Sequence, residues 1–342
     1  VLSTVAYNGG LRENLKTVYN YDSSLGVGVR SEMKCDNLID HQKLLAEEIG
    51  LVMETTAGMQ TGVHMKNVSI KELSFEHITV TAIVTGGIEA NGGRVGDPAT
   101  WVEDGKTKEK YKVGTINIML YINGNLTDGT MARALVTATE AKTIACEELQ
   151  LHSNYSRGLA TGSGTDETII IADAESEMLY TNAGKHSKLG ELIGLTVKEA
   201  VKEALFLQTD VCEELQHNAM RRVRRLGINP RSIFQYYLDE YVSGEEKLDL
   251  STFTSYLDEV VIKTESIVLS SLIAHLIDQM DWNLLSIEEV VKSCGSLMNN
   301  YAKDNSIDYL KNLNTHSTND DAVEEIMNAW QELTISELLK LR

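Results

Sequence analysis

Gly114-Thr115-Ile116-Asn117-Ile118-Met119-Leu120 and Thr168-Ile169-Ile170-Ile171 are two short apolar runs, separated by a helix signature at Thr137-Ala138-Thr139-Glu140-Ala141-Lys142. Runs this short, bounded by glycine and threonine, read as buried strands. The first helix turn is set by Thr127 or Asp128 as N-cap. Leu135, Ala138 and Ala145 give that helix a small-residue face able to sit close to a sheet. Upstream, Asp40 to Ile49 reads as a helix, with Leu44, Leu45 and Ile49 on one face. Val63 to Ile70 and Ile78 to Val84 alternate as strands. Several strands without helices between them predict a largely antiparallel, mixed sheet with packed helices, an α+β fold.

Small polar residues crowd the ends of these elements, as they do where a chain builds a site. The loop Thr161-Gly162-Ser163-Gly164-Thr165-Asp166 precedes the second strand. It lacks the lysine of a phosphate-binding P-loop and leads into a strand, which argues against nucleotide binding. A hydroxyl of Ser163 or Thr165 beside the Asp166 carboxylate is a candidate activated nucleophile, and the carboxylate alone can activate water. As turn residues, the same side chains merely cap backbone groups. Glu140 and Lys142, two apart, lie about 200° from each other around a helix, so one points inward or both flank the sheet. Taken alone, they make a solvated pair. Leu2 to Tyr7 reads as a strand entering the turn Asn8-Gly9-Gly10, where the Asn8 carboxamide can bond a substrate amide. The polar segment Gly92 to Gly114 is long for a connection and carries Trp101, either a loop anchor or a face for a flat ligand.

Taken together and in order, Val5-Ala6-Tyr7-Asn8-Gly9-Gly10, Pro98-Ala99-Thr100-Trp101, GTIN at Gly114, TATEAK at Thr137, ATGSGTD at Ala160 and Lys185-His186-Ser187-Lys188-Leu189-Gly190-Glu191 resemble the adenosylcobinamide amidohydrolase (CbiZ) family. The resemblance covers about residues 1–206. It implies hydrolysis of the amide joining aminopropanol to the corrin ring, giving adenosylcobyric acid in corrinoid salvage. It also implies a semi-buried, functional Glu140 and gives His186 a place as proton donor. The reaction needs a base or nucleophile, donors for the oxyanion and an acid for the leaving amine. The roles expected are Asp166 or Glu140 as base and Thr165 or Ser163 as nucleophile. Asn8, Asn117 and the amides of Gly162 to Gly164 would hold the oxyanion, with His186 as acid. Gly9, Gly10, Thr161 and Trp101 complete the expected substrate contacts. A corrinoid-binding module without hydrolysis, and a metal-dependent amidase of another substrate using Asp166, Glu140 and His186, stay open beside this reading.

The whole chain sets limits. Its 342 residues predict two domains, 1–206 and a helical 207–342. Residues to Phe206 carry 19 basic and 27 acidic side chains and the rest 12 and 23, so neither half suits a nucleic acid. The run Arg221, Arg222, Arg224 and Arg225 sits before Gly227, where cations suit a helix C-terminus. No apolar run reaches membrane-span length, and Val1-Leu2-Ser3 has no signal-like pattern, so no membrane partner and a cytoplasmic address are expected. Cys35, Cys146, Cys212 and Cys294 are far apart, which predicts free thiols. No metal-ligand spacing occurs; no metal and no cofactor are expected, the corrinoid and its cobalt being substrate. His64, His77 and His152 are scattered and read as structural. After Phe206 helix follows helix, with a capping box at Ser286-Ile287-Glu288-Glu289. This predicts a four- or five-helix bundle, a candidate homo-oligomerisation module.

Overall fold

The computed structural model describes residues 1–23, 34–35, 37–102, 114–242, 247–302, 309 and 318–342, in two compact units, Val1–Glu213 and Glu214–Arg342. The first unit contains strands β1 (Leu2–Ser3), β2 (Gly10–Leu11) and β3 (Thr17–Asp22), helix α1 (Leu38–Glu48) and strand β4 (Thr56–Thr61). Strands β5 (Ser69–Phe75), β6 (Ile78–Gly87), β7 (Gly92–Gly93), β8 (Thr115–Ile122) and β9 (Asn125–Leu126) follow. Helix α2 (Asp128–Glu148), strands β10 (Gly162–Ser163), β11 (Glu167–Ala172) and β12 (Leu179–Tyr180), and helix α3 (Lys188–Thr209) complete it.

Six strands form the main sheet in the order β2-β1-β11-β8-β6-β5. It is mixed: β8 and β11 run parallel, joined through α2, and their neighbours are antiparallel. The fold is α+β. Alternation decides what each face buries. Val80, Ala82 and Val84 stand opposite Ile122, Leu120 and Ile118, all fully buried. Helices α2 and α3 pack together, with α3 lying on β5 and β6. The α2 stripe Ala134, Ala138, Ala141 and Ala145 is buried, and short side chains are what let its axis come close. Thr127 is its N-cap, accepting from the Thr130 N–H at 3.3 Å. The other face of β8 and β11 receives β4, with Ala57 and Met59 packed on Ile169. There β3 and β4 form a separate parallel pair under α1.

Two expected strands are redrawn. Leu2 to Tyr7 is extended only at Leu2–Ser3, because the Asn8-Gly9-Gly10 turn folds β2 straight back onto β1. A Cβ on Gly9 would lie 2.0 Å from the Val5 carbonyl oxygen, so only glycine fits there. Val63 to Ile70 holds a 3-10 turn at Met65–Asn67, and the strand begins at Ser69. Of its apolar residues only Val63 is buried, and Ile70, already in the ladder with Ile83, is 60% exposed. Thr56-Ala57-Gly58 opens β4.

The second unit is helical: α4 (Ala219–Val223), α5 (Pro230–Glu240), α6 (Leu250–Val261), α7 (Thr264–Asp281), α8 (Ile287–Ala302) and α9 (Asn319–Leu339). Its core gathers Phe253, Leu257, Ile273, Ile277, Met298, Ile326 and Trp330. The capping box forms, Ser286 and Glu289 exchanging bonds at the start of α8. Arg225 does not simply face a helix dipole. Its guanidinium is 5% exposed and grips Asp278 of α7 with two bonds, 2.7 and 2.6 Å. No single helix among the described residues is long and apolar enough to cross a membrane.

Candidate active site

The loop after α2 and the start of β11 form the floor of a cleft of about 430 Å³. The Thr161–Thr165 turn lines one wall, Arg94 to Trp101 another, and Lys142 and Tyr155 reach in between. Residues 103–113, the rest of the long polar segment, lie outside the described residues. The Thr161–Thr165 wall is pinned by β10, which pairs with β7 at Gly162↔Gly93 and Ser163↔Gly92. Opposite it, Asp97 accepts from the Arg94 N–H at 2.7 Å and the Ser153 hydroxyl at 2.6 Å. Burial would raise the Asp97 carboxyl, but the bonds from Ser153, Ser156 and the Arg94 amide outweigh it and hold the carboxyl below its ordinary range.

Asp166 lies at the centre. One carboxylate oxygen accepts from the Ile116 N–H at 2.8 Å and the Ser163 hydroxyl at 2.7 Å. The other accepts from the Ser163 N–H at 2.9 Å and from the Lys142 ammonium. The Lys142 and Asp166 side chains are 13% and 9% exposed, so the pair is shielded yet open to the cleft on the lysine side. Glycine at 162 makes this possible. Its φ is +151°, and a Cβ there would lie 2.3 Å from the Asp166 carboxylate and 2.7 Å from the Lys142 nitrogen.

Beside this chain, Asn91 is 4% exposed and fully used. Its amide donates to the Gly114 carbonyl at 3.1 Å and the Thr165 hydroxyl at 3.3 Å, and its oxygen accepts from the Tyr155 hydroxyl at 2.8 Å. Thr165 in turn donates to the Gly114 carbonyl at 2.8 Å. Its proton is committed to backbone, whereas that of Ser163 points at a carboxylate. Cys146, on the buried face of α2, has a thiol pushed up to about 12 by burial and then by the Asp166 charge, so it offers no competing nucleophile.

The fold thus brings Ser163, Thr165, Thr161, Gly162, Gly164 and Trp101 to one cleft, with Asp166 just behind its lining, bonded to Ser163 and Lys142. Six expected residues, Glu140, His186, Asn8, Gly9, Gly10 and Asn117, stand elsewhere. Glu140 is exposed, not semi-buried, and pairs with Lys185 at 2.6 Å on the opposite side of α2 from Lys142. Of the two helical charges, the lysine turns inward. His186 is exposed just ahead of α3 and is not among the residues lining the cleft. Asn8 holds a positive φ of 56° and spends its amide on the Met53 and Thr56 carbonyls at 2.9 and 2.8 Å, which fixes the Gly9-Gly10 turn. Asn117 is fully buried, donating to the Gln60 carbonyl and Asn20, so it has no free donor for an oxyanion. Of the expected oxyanion amides, the Ser163 N–H is taken by Asp166. The Gly164 N–H makes no hydrogen bond among the described residues. Lys142, Asn91 and Tyr155 were not foreseen as site residues; the 200° spacing from Glu140 was the one available signal for Lys142.

Comparison with known proteins gives this arrangement a context. A protein of Methanocaldococcus jannaschii, itself uncharacterised, is 38% identical over 211 residues, 58% of this chain and 82% of the relative. No solved structure matches the chain. The profile of CbiZ, adenosylcobinamide amidohydrolase, matches residues 1–213 and ends where the first structural unit ends. The chain therefore belongs to the adenosylcobinamide amidohydrolase family.

Proposed function

We propose that the first unit hydrolyses the aminopropanol amide of adenosylcobinamide to adenosylcobyric acid, and that it does so without a metal. The hydrogen-bonded chain Lys142–Asp166–Ser163 at the mouth of a cleft carries this reading. Amide hydrolysis needs a nucleophile whose proton has somewhere to go, and a proton for the departing amine. Ser163 attacks the carbonyl carbon while its proton passes to Asp166. The Gly164 N–H is the amide left to meet the developing oxyanion. As the C–N bond breaks, the proton held between Asp166 and Lys142 moves to aminopropanol, leaving an ester on Ser163. Water then attacks the ester and Asp166 takes its proton; as the acyl–oxygen bond breaks, Asp166 returns that proton to Ser163, and the acid leaves as carboxylate. Asn91 and Tyr155 position the floor and touch no reacting atom in this scheme. Trp101 offers the loop wall an aromatic face for the macrocycle.

The test is incubation of the pure protein with adenosylcobinamide, following adenosylcobyric acid and aminopropanol by chromatography with and without chelator. Product unaffected by chelator, and lost by roughly 10³-fold or more in Ser163→Ala, is expected. Tight corrinoid binding without product would leave a binding protein instead. Activity abolished by chelator and restored by one metal would overturn the metal-free scheme.

A further inference from the structure

Glu167 follows Asp166 directly, so alternation sends its side chain through to the other face of the sheet. It stands in register with Asn117 of β8, whose amide reaches Gln60 of β4 and Asn20 of β3 on that face. The seam between the sheet and the β3–β4–α1 layer is therefore polar. It is also incompletely satisfied: the Ser3 hydroxyl and Gln42 Nε2 are buried without a hydrogen-bond partner, and the His41 ring and Gln60 side chain meet without forming a full hydrogen bond. These atoms come from β1, α1 and β4, and protein interiors seldom leave such groups unpaired. Into this seam Glu167 brings a carboxyl that makes no ion pair among the described residues. The side chain is only partly exposed, and a carboxyl so placed without a cation favours its neutral form.

The charges on neighbouring elements do not relieve it. From β3 come Tyr19, Tyr21 and Asp22, and Asp22 is held by the Met65 N–H at 2.9 Å. Tyr19 feels the Glu167 charge and donates its hydroxyl to the Gln42 carbonyl at 3.0 Å. On α1, His41 is buried and already accepts from the Lys34 N–H, while Lys43 lies over the Tyr7 ring. Asp40, Glu47 and Glu48 of α1 are exposed. Strands β1 and β4 bring no titratable side chain, and the one on β8, Tyr121, is 39% exposed. A polar path leads from the seam to the cleft: the single proton of the Thr115 hydroxyl is shared between Asn117 Oδ1 at 2.9 Å and the Thr165 carbonyl at 2.7 Å.

We propose that Glu167 is a proton-linked latch: neutral, it seats the β3–β4–α1 layer on the sheet, and ionised, it loosens that layer and, through Asn117 and Thr115, the cleft floor. Burial pushes the Glu167 carboxyl up from 4.5 to about 7, against a smaller lowering by the Gln60 backbone amide. The sign follows. Between those two values the seated form keeps its proton and the opened form releases it, so opening grows with pH by about tenfold per unit. Below 4.5 both forms are neutral, and above 7 both are ionised, so the effect is flat at either end.

Hydrogen exchange on the full chain tests this without reference to what the cleft hydrolyses. After correction for intrinsic exchange, protection of residues 17–22 and 56–61 in the wild-type protein should fall by about 100-fold from pH 5 to pH 7, then level off. Glu167→Gln should be flat over the same range, and helices α5 to α9 should be flat in both proteins. Equal slopes in wild type and Glu167→Gln, or a flat wild type, would overturn the latch. Should the variant fail to fold, carboxyl ¹³C shifts in the wild-type chain decide the matter: no glutamate titrating near pH 7 would sink the proposal.

Discussion

Asp166 accepts four hydrogen bonds, and each constrains a different part of the site. The Ile116 amide anchors it to β8, the two Ser163 groups shape the turn, and Lys142 closes the pair from α2. That Asp166 and the hydroxyl turn come together was legible from residue type and position, since a carboxylate three residues after a serine can bond its hydroxyl and amide. Which of Glu140 and Lys142 faces inward was not, because helix geometry separates them without saying which side carries the partner. The family motif favoured the glutamate; Lys185 on the far side takes it. The pair makes a prediction with two parts. Asp166→Asn removes the proton acceptor and should lower turnover by about 10²- to 10⁴-fold while leaving KM nearly unchanged. It also strands a shielded ammonium, which should cost about 3–5 kcal/mol by urea denaturation. Adding Lys142→Met should recover much of that stability and none of the activity. Recovery of activity in the double variant would show that Asp166 serves only to hold the lysine.

Elements were legible to different degrees, for physical reasons. The buried strands β6, β8 and β11 announce themselves by continuous β-branched apolar runs, and α2 by its alanine stripe and Thr127 cap. Strand β4, Thr56-Ala57-Gly58-Met59-Gln60-Thr61, has weak strand propensity throughout. It exists because tertiary packing lays Ala57 and Met59 on Ile169, which no local pattern encodes. For the same reason Asn117 looked available: its partners Gln60 and Asn20 belong to that layer. The close packing of α2 is the element on which the cleft depends, since it carries Lys142. Ala138 is fully buried in the stripe, so Ala138→Leu should overpack it, costing about 1–3 kcal/mol and displacing the lysine. Val136, 44% exposed two residues earlier, is the control. Val136→Leu should change stability by less than about 0.5 kcal/mol. Equal losses from both, measured by thermal denaturation, would mean that the helix does not sit by its alanine face.

At the scale of the whole molecule, two separate cores imply two separable foldings. The first unit buries a sheet under α2 and α3, and the second buries its own cluster around Phe253, Ile273 and Trp330. Phe206, where the sequence changes character, lies inside α3, and the first unit runs on to Glu213. The sequence marks the change of grammar but not its edge, because α3 is a sheet-packed helix that reads like the helices after it. Within the second unit the shielded Arg225–Asp278 pair joins the turn after α4 to α7. Asp278→Ala removes both of the pair's bonds from the buried Arg225 guanidinium and should destabilise that unit by about 3–5 kcal/mol. A calorimetric trace should then show one transition shifted down and the other unmoved, with hydrolysis in the cleft unchanged below the lower transition. A fragment ending at Glu213 carries the comparison to its limit: every residue of the Lys142–Asp166–Ser163 chain and its supports lies within it. Its kcat for adenosylcobinamide should stay within about threefold of the full chain's. A folded but inactive fragment, judged by circular dichroism and the same chromatographic assay, would make the helical unit part of the catalytic apparatus rather than an independent neighbour.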